Sequence, residues 1–215
     1  MKKKINVILV DDHAVVRAGY KMLLKNIDYI NVIAEADTGE EAIILARKHR
    51  PDVIVLDISL PGISGIETIR RIVFANHSIK VLVFTMHEEV VFVERALQAG
   101  AIGYMTKSTA PEMLSKAIKS VSQGKKYIDS DLKKKMTYQY EHLREDDSLL
   151  SDLSAREFQI FCLLAEGKSS QDISKILNIS YKTAANYSSQ IKNKLHASTI
   201  ADIARIAIRH NIIKA

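Results

Sequence analysis

One cysteine in 215 residues, Cys162, excludes an intrachain disulfide and fits a reducing compartment. It lies inside the apolar run Ile160 to Leu164 and reads as a buried core thiol, not a nucleophile. No apolar run approaches the roughly 20 residues that span a bilayer, so no membrane partner is expected. The stretch Ile5 to Val10, preceded by Lys2, Lys3 and Lys4, is too short for a signal-peptide core and ends in two acids, which points to a cytoplasmic protein. The seven histidines show no ligand spacing, and His87-Glu88-Glu89 lacks the second histidine of a zinc-protease helix. Charge of one sign is also scarce. Residues 1–122 carry 16 basic and 14 acidic side chains and residues 123–215 carry 15 and 11, a small basic excess that points to a polyanionic partner for the second part.

What the chain has instead is a series of short apolar runs that end in polar groups. Val53 to Leu56 lead into a single carboxylate, Asp57, and then into a segment broken by Pro61, Gly62 and Gly65. This is the pattern of a buried strand that delivers one acid to its carboxyl end. Ile5 to Val10 end in Asp11 and Asp12, Lys80 to Phe84 end in Thr85, and Ile102 to Met105 lead to Lys107. A further strand is expected around Ile30 to Ala34. Helical patterns alternate with these runs, including one opened by Thr38-Gly39-Glu40-Glu41, one from Ser64 to Ala75, one from Glu88 to Gln98 and one starting near Pro111. Five repeats of strand then helix predict a parallel sheet covered on both faces.

From Gln123 to Asp147 aliphatic residues thin out, and six basic and six acidic side chains accumulate, which reads as a solvated linker with a short helix near Asp131 to Tyr140. Beyond it, Ser154-Ala155-Arg156-Glu157 is a capping-box pattern before an apolar helix that ends at Gly167. A short helix, Gln171 to Leu177, the turn Asn178-Ile179-Ser180 and a longer helix, Tyr181 to Leu195, make a helix-turn-helix pattern. The last helix, Thr199 to His210, has an apolar stripe wider than one core face requires, so a second packing partner is expected there.

Ligands of open parallel sheets bind at the carboxyl ends of the strands. Three carboxylates gathered there would repel one another, but they suit a hard divalent cation, and oxygen donors with room for water and phosphate suit Mg²⁺. With a lysine and a hydroxyl beside it, a carboxylate has what phosphoryl transfer needs. Asp57 is then the nucleophile, Asp11 and Asp12 hold the metal with the Ser59 carbonyl, and Lys107 and Thr85 contact the acquired phosphoryl group. Taken singly, each residue has a plainer reading, as a helix cap, a loop acid, a turn residue or a solvated charge. Tyr104 alone reads as a core aromatic. A metal-dependent phosphohydrolase using an aspartyl-phosphate stays open as an alternative, although it needs a general acid where Ser59 stands.

Val10-Asp11-Asp12-His13, Leu56-Asp57-Ile58-Ser59-Leu60-Pro61-Gly62, Thr85 and Gly103-Tyr104-Met105-Thr106-Lys107 resemble the receiver domain of two-component response regulators. Leu153-Ser154-Ala155-Arg156-Glu157, Ala165-Glu166-Gly167-Lys168-Ser169 and Ser180-Tyr181-Lys182-Thr183 resemble the LuxR-type helix-turn-helix. Together they cover nearly the whole chain in the manner of the NarL/FixJ subfamily. Val16-Arg17-Ala18-Gly19, Gly124 to Asp131 and Ala207-Ile208-Arg209-His210 are similar to the GacA/UvrY/LetA group within it.

The resemblance implies an α/β, flavodoxin-like receiver over residues 1–122 with strand order 2-1-3-4-5. It implies a linker over 123–149 and an all-α DNA-binding domain over 150–215. It also implies phosphorylation of Asp57 by a sensor histidine kinase of the hybrid BarA/GacS type, and a relay through Thr85 and Tyr104. A homodimer using the C-terminal helix would bind promoter DNA, upstream of genes for small regulatory RNAs that act on a CsrA-type repressor. Such a receiver catalyses only its own phosphotransfer and dephosphorylation. A phosphorylation-independent DNA-binding regulator is the alternative. The expected DNA-contacting residues are Lys182, Thr183, Ala185, Asn186, Ser189, Gln190, Lys192 and Lys194, with Asn186 suited to adenine. Ala184, Ala185, Ser188 and Gln190 depart from the family pattern, which leaves the reading helix with fewer basic groups.

Overall fold

Strands covered on both faces need apolar side chains on both, and this is where the chain's β-branched runs go. The computed structural model describes residues 4–141 and 150–213. Its strands are β1 (Ile5–Val10), β2 (Ile30–Ala36), β3 (Val53–Leu56), β4 (Lys80–Thr85), β5 (Gly103–Thr106) and β6 (Tyr127–Ile128). Between them lie α1 (Ala14–Lys25), α2 (Gly39–His49), α3 (Gly65–Ala75), α4 (Val90–Gln98) and α5 (Glu112–Ser122), and α6 (Ser130–Glu141) follows β6. All strand pairs are parallel, in the order β2-β1-β3-β4-β5-β6. The five expected strands are present in the expected order. The sixth was not foreseen: two residues at the start of the expected linker pair with Gly103 and Tyr104.

Alternation along the strands divides the core in two. Val7, Leu9, Val53, Val55, Leu82, Phe84 and Met105 pack with Leu24 of α1 and Leu114 and Ile118 of α5. Ile8, Ile54, Leu56, Val81 and Val83, also buried, point the other way. All four residues of β3 are buried, so this strand sits at the centre and carries Asp57 directly beyond its last residue.

The chain divides into two compact units, residues 1–136 and 137–215. Residues 142–149 of the expected linker, with their share of the charge run, lie outside the described residues. In the second unit, α7 (Ala155–Ala165), α8 (Ser170–Ile176), α9 (Tyr181–Lys194) and α10 (Ile200–Arg209) form the helical pattern read from the sequence. Capping boxes open α7, α8 and α10, and the Ser180 side chain caps α9 by accepting from the Thr183 N–H. Cys162 is half-buried and not buried as expected, because Ile160, Phe161 and Leu164 take the inward positions of α7. Among the described residues, no helix is long and apolar enough to cross a membrane.

Candidate functional site

β1 and β3 lie side by side with Val10 opposite Leu56, so the acids that follow both strands emerge together. The Asp57 N–H donates to the Val10 carbonyl at 2.9 Å, and the Asp11 N–H donates to the Ala36 carbonyl at 3.1 Å. Asp57 is 3% exposed and Asp11 6%. Lys107 reaches both from the end of β5, with Nζ 2.5 Å from Asp57 Oδ2 and 2.6 Å from Asp11 Oδ2. Burial works against the Lys107 ammonium, but hydrogen bonds to Asp11 and Asp57 outweigh it and hold its pKa above the usual value. The Lys107 N–H also donates to the Thr85 carbonyl at 2.7 Å, which fixes β5 against β4 at this end.

The remaining oxygens are set by local turns. Asp57 Oδ1 accepts from the Ser59 N–H at 3.0 Å, and Asp11 Oδ1 accepts from the His13 N–H at 2.9 Å. Asp12 lies closer to solvent, with its carboxylate 2.8 Å from His13 Nδ1. The loop after β3 needs two glycines. Gly62 has a φ of +74°, and a Cβ on Gly65 would lie 2.4 Å from the Ile58 Cα and 2.8 Å from the Asp57 carbonyl oxygen. The start of α3 therefore packs directly under the acid.

Asp11, Asp12 and His13 present ligand atoms within 4.8 Å of one another. The Asp11 and Asp57 carboxylates face one ammonium, and with Asp12 beside Asp11 the acids leave excess negative charge; Asp57 falls outside the Asp11, Asp12 and His13 group, but these oxygen donors fit a divalent cation bound partly through water. Ser59, whose backbone carbonyl is the fourth ligand expected from the sequence, is exposed, and its N–H holds Asp57 Oδ1.

Thr85 and Tyr104 are both fully buried. Burial, with the charges of Glu89 and Asp57 nearby, pushes the Tyr104 hydroxyl well above its usual pKa, so it stays a donor. It donates to the His87 carbonyl at 3.1 Å, while the His87 N–H reaches toward Thr85 Oγ1 at 3.5 Å. His87 thus stands between the two, a place that its lack of ligand spacing did not reveal. Its ring stacks on Phe92 with centroids 4.0 Å apart, and its Nε2 shares a 3.0 Å hydrogen bond with Ser59 Oγ.

In the second unit, α9 divides by face. Ala184, Ser188 and Ile191 are buried, and Ser188 Oγ donates to the Ala184 carbonyl at 3.0 Å. Two of the four departures from the family pattern, Ala184 and Ser188, are therefore packing positions. Lys182, Asn186, Ser189 and Gln190 are exposed, and Thr183, Ala185 and Lys192 are half-buried. Lys194 is turned to another task, with Nζ 2.9 Å from the carboxylate of buried Glu157 and 3.3 Å from the Asp152 carbonyl. On α10, Ile203 and Ala207 are buried, while Ile200 and Ile208 remain exposed.

Comparison with known proteins agrees with both halves. Residues 7–119 match the response regulator receiver domain family, and residues 151–207 match the bacterial regulatory proteins of the luxR family. The chain is 37% identical to the response regulator UvrY of Escherichia coli K12 over 211 residues, covering 98% of this chain and 97% of that protein. It is equally identical to the response regulator GacA of Pseudomonas aeruginosa, covering 98% and 99%. A solved structure of RcsB from Salmonella enterica, bound to the P1flhDC promoter with the phosphomimetic BeF₃⁻, is 26% identical. It aligns with a TM-score of 0.68 over 95% of this chain and 98% of that one. The chain belongs to the response regulators that join a receiver domain to a LuxR-type DNA-binding domain.

Proposed function

We propose that Asp57 accepts a phosphoryl group from a sensor histidine kinase, and that the modified receiver controls dimerisation and promoter binding by the helical unit. The observation that carries this reading is the buried Asp57 carboxylate at the end of the central strand, held by Lys107 beside Asp11. An Asp57 oxygen attacks phosphorus, the bond from phosphorus to the donor's imidazole nitrogen breaks, and the electron pair leaves with the imidazole. Lys107 is placed to neutralise an oxygen of the transferred group, and the Thr85 hydroxyl donates to another. Asp11, Asp12, Asp57 and the Ser59 carbonyl would hold Mg²⁺, which when bound supplies further neutralisation of those oxygens.

In this reading residues 1–122 are the phosphoacceptor domain, 123–149 the linker and 150–215 the DNA-binding domain. The only chemistry is the receiver's own phosphotransfer and dephosphorylation. Exposed Lys182, Asn186, Ser189 and Gln190 lie on one side of α9 and suit a helix lying in the major groove. Thr183, Ala185 and Lys192 flank that side, and Lys194 contributes to DNA only by leaving Glu157. Exposed Ile200 and Ile208 support a homodimer through α10. Likeness to the GacA/UvrY/LetA group supports a hybrid BarA/GacS-type kinase, a cytoplasmic location and control of small RNAs acting on a CsrA-type repressor.

The test is labelling of the full chain by acetyl phosphate with Mg²⁺. Wild type is expected to take up one phosphoryl group and Asp57→Asn none; equal labelling of the two would overturn the reading.

A further inference from the structure

The turn that carries Lys107 is held by a residue outside the strand-end cluster. Asp129, between β6 and α6, is 8% exposed, and one of its oxygens, Oδ2, takes three hydrogen bonds. The Thr106 N–H donates to it at 2.8 Å, the Thr109 hydroxyl at 2.7 Å and the Thr106 hydroxyl at 3.3 Å. The donors bracket Lys107 on both sides. The same residue starts α6: its carbonyl accepts from the Lys133 N–H at 2.9 Å, and its own N–H donates to the Tyr104 carbonyl at 3.3 Å. A second tie lies beside the first. Glu88, just beyond Thr85, accepts from Ser108 Oγ at 3.0 Å and pairs with Lys135 of α6 at 2.7 Å. The first turns of α6 are thus fastened to both loops that present the candidate phosphoryl contacts, and Leu132 is buried among them.

We propose that Asp129 is a positioning residue for Lys107, and that through it the start of α6 responds directly to phosphorylation. This rests on the reading of Asp57 as phosphoacceptor. The Lys107 ammonium must meet an oxygen of the incoming phosphoryl group, and its place depends on a short turn whose exposed side offers little packing to hold it. One carboxylate oxygen replaces that packing with three directed bonds. Because all three converge on one atom, the oxygen matters and the second carboxylate oxygen does not. Asparagine at this position keeps the acceptor and alanine removes it.

The experiment is the labelling rate of full-length protein at saturating acetyl phosphate and Mg²⁺, in which an Asp57 oxygen displaces acetate from phosphorus and acetate leaves with the electron pair. Asp129→Ala is expected to slow labelling about tenfold, short of the roughly 100-fold that an ångström of misplacement costs. Asp129→Asn should restore most of the rate, with the half-saturating Mg²⁺ concentration unchanged in both. In a Lys107→Ala background, Asp129→Ala should cost nothing more, because the residue acts through the lysine. Hydrogen exchange should show that BeF₃⁻ alters protection of the first turns of α6 in wild type and not in Asp129→Ala. Wild-type labelling in Asp129→Ala, or an equal further loss in the Lys107→Ala background, would overturn the proposal and leave Asp57 standing. Absence of label in wild type would remove the Asp57 reading and this proposal with it. Thr109→Val deletes a single donor, and a smaller loss of the same kind is expected should Asp129→Ala fail to fold.

Discussion

The carboxyl end of the sheet and the outer side of α9 are both polar surfaces offered by one face of a regular element, yet they are built in opposite ways. At the sheet end Asp11 and Asp57 are buried and already engaged, with Lys107 within 2.6 Å of both carboxylates. On α9, Lys182, Asn186, Ser189 and Gln190 stand in solvent at helical spacing. A site that stabilises a fleeting arrangement of charge gains from dipoles and ions fixed in advance. A surface that tracks a long polyanion gains more from adaptable side chains whose attraction is set by counterion release. The two surfaces should therefore respond very differently to single substitutions.

Beyond the phosphoacceptor itself, the largest effect is expected at Lys107. Lys107→Ala removes the cation that bridges Asp11 and Asp57, and labelling by acetyl phosphate should fall about 100-fold, equivalent to about 2.7 kcal/mol in the barrier. Rapid-quench labelling measures it. A loss below a few-fold would mean that the sheet-end site tolerates change as a solvated surface does, and the contrast would fail. On the helical unit, Ile208→Asp places a charge on the exposed stripe of α10, and sedimentation of the BeF₃⁻-treated protein should show the dimer weakened by about 2 kcal/mol, roughly 30-fold.

Smaller effects are expected on α9, and they should differ in kind. Lys182→Ala should weaken promoter and random DNA alike and lower the salt slope by about 1, whereas Asn186→Ala should cost about 1 kcal/mol and relax preference at one base pair. Salt-dependent binding titrations against a panel of sequence variants separate the two. Lys194→Ala should behave like neither, because its ammonium serves Glu157, and its cost should appear in stability.

Most of the sheet end's geometry was legible because each candidate residue closely follows an apolar run, and a parallel sheet brings the ends of its strands together. Asp57, Asp11, Thr85 and Lys107 carry that local signal. Residues that act from between elements do not. Asp129 follows a two-residue strand in a charge-rich stretch, and its carboxylate looks like any solvated linker acid until the fold brings Thr106 and Thr109 to it. His87 is hidden in the same way, since its bond to Ser59 and its carbonyl's bond to Tyr104 join segments far apart in the chain. On α9 the helix was plain, but its inward side was not. Ala184 and Ser188 read as departures in DNA recognition until their burial showed them to be packing residues.

Glu157 sharpens the contrast from within the helical unit, since it is the residue there built most like the sheet end. Burial opposes its charge, but the Lys194 ammonium and the Ser154 backbone and hydroxyl hold its carboxyl below the usual range. The Ser154 N–H donates to it at 2.8 Å. A carboxyl whose folded pKa is depressed stabilises the fold fully above the unfolded Glu value of about 4.3. That contribution is lost as pH falls below 4.3 through the folded value. Lys194 keeps 44% of its side chain exposed, so screening limits the contribution to about 1 kcal/mol. Glu157→Gln should therefore lower protection of the α7 and α9 amides at pH 7 by that amount, with the difference from wild type smaller at pH 3, below the unfolded value. Native-state hydrogen exchange at the two pH values measures it. A difference that persists unchanged at pH 3 would assign the loss to packing, and Glu157 would then not be a charge fixed in the manner of Lys107.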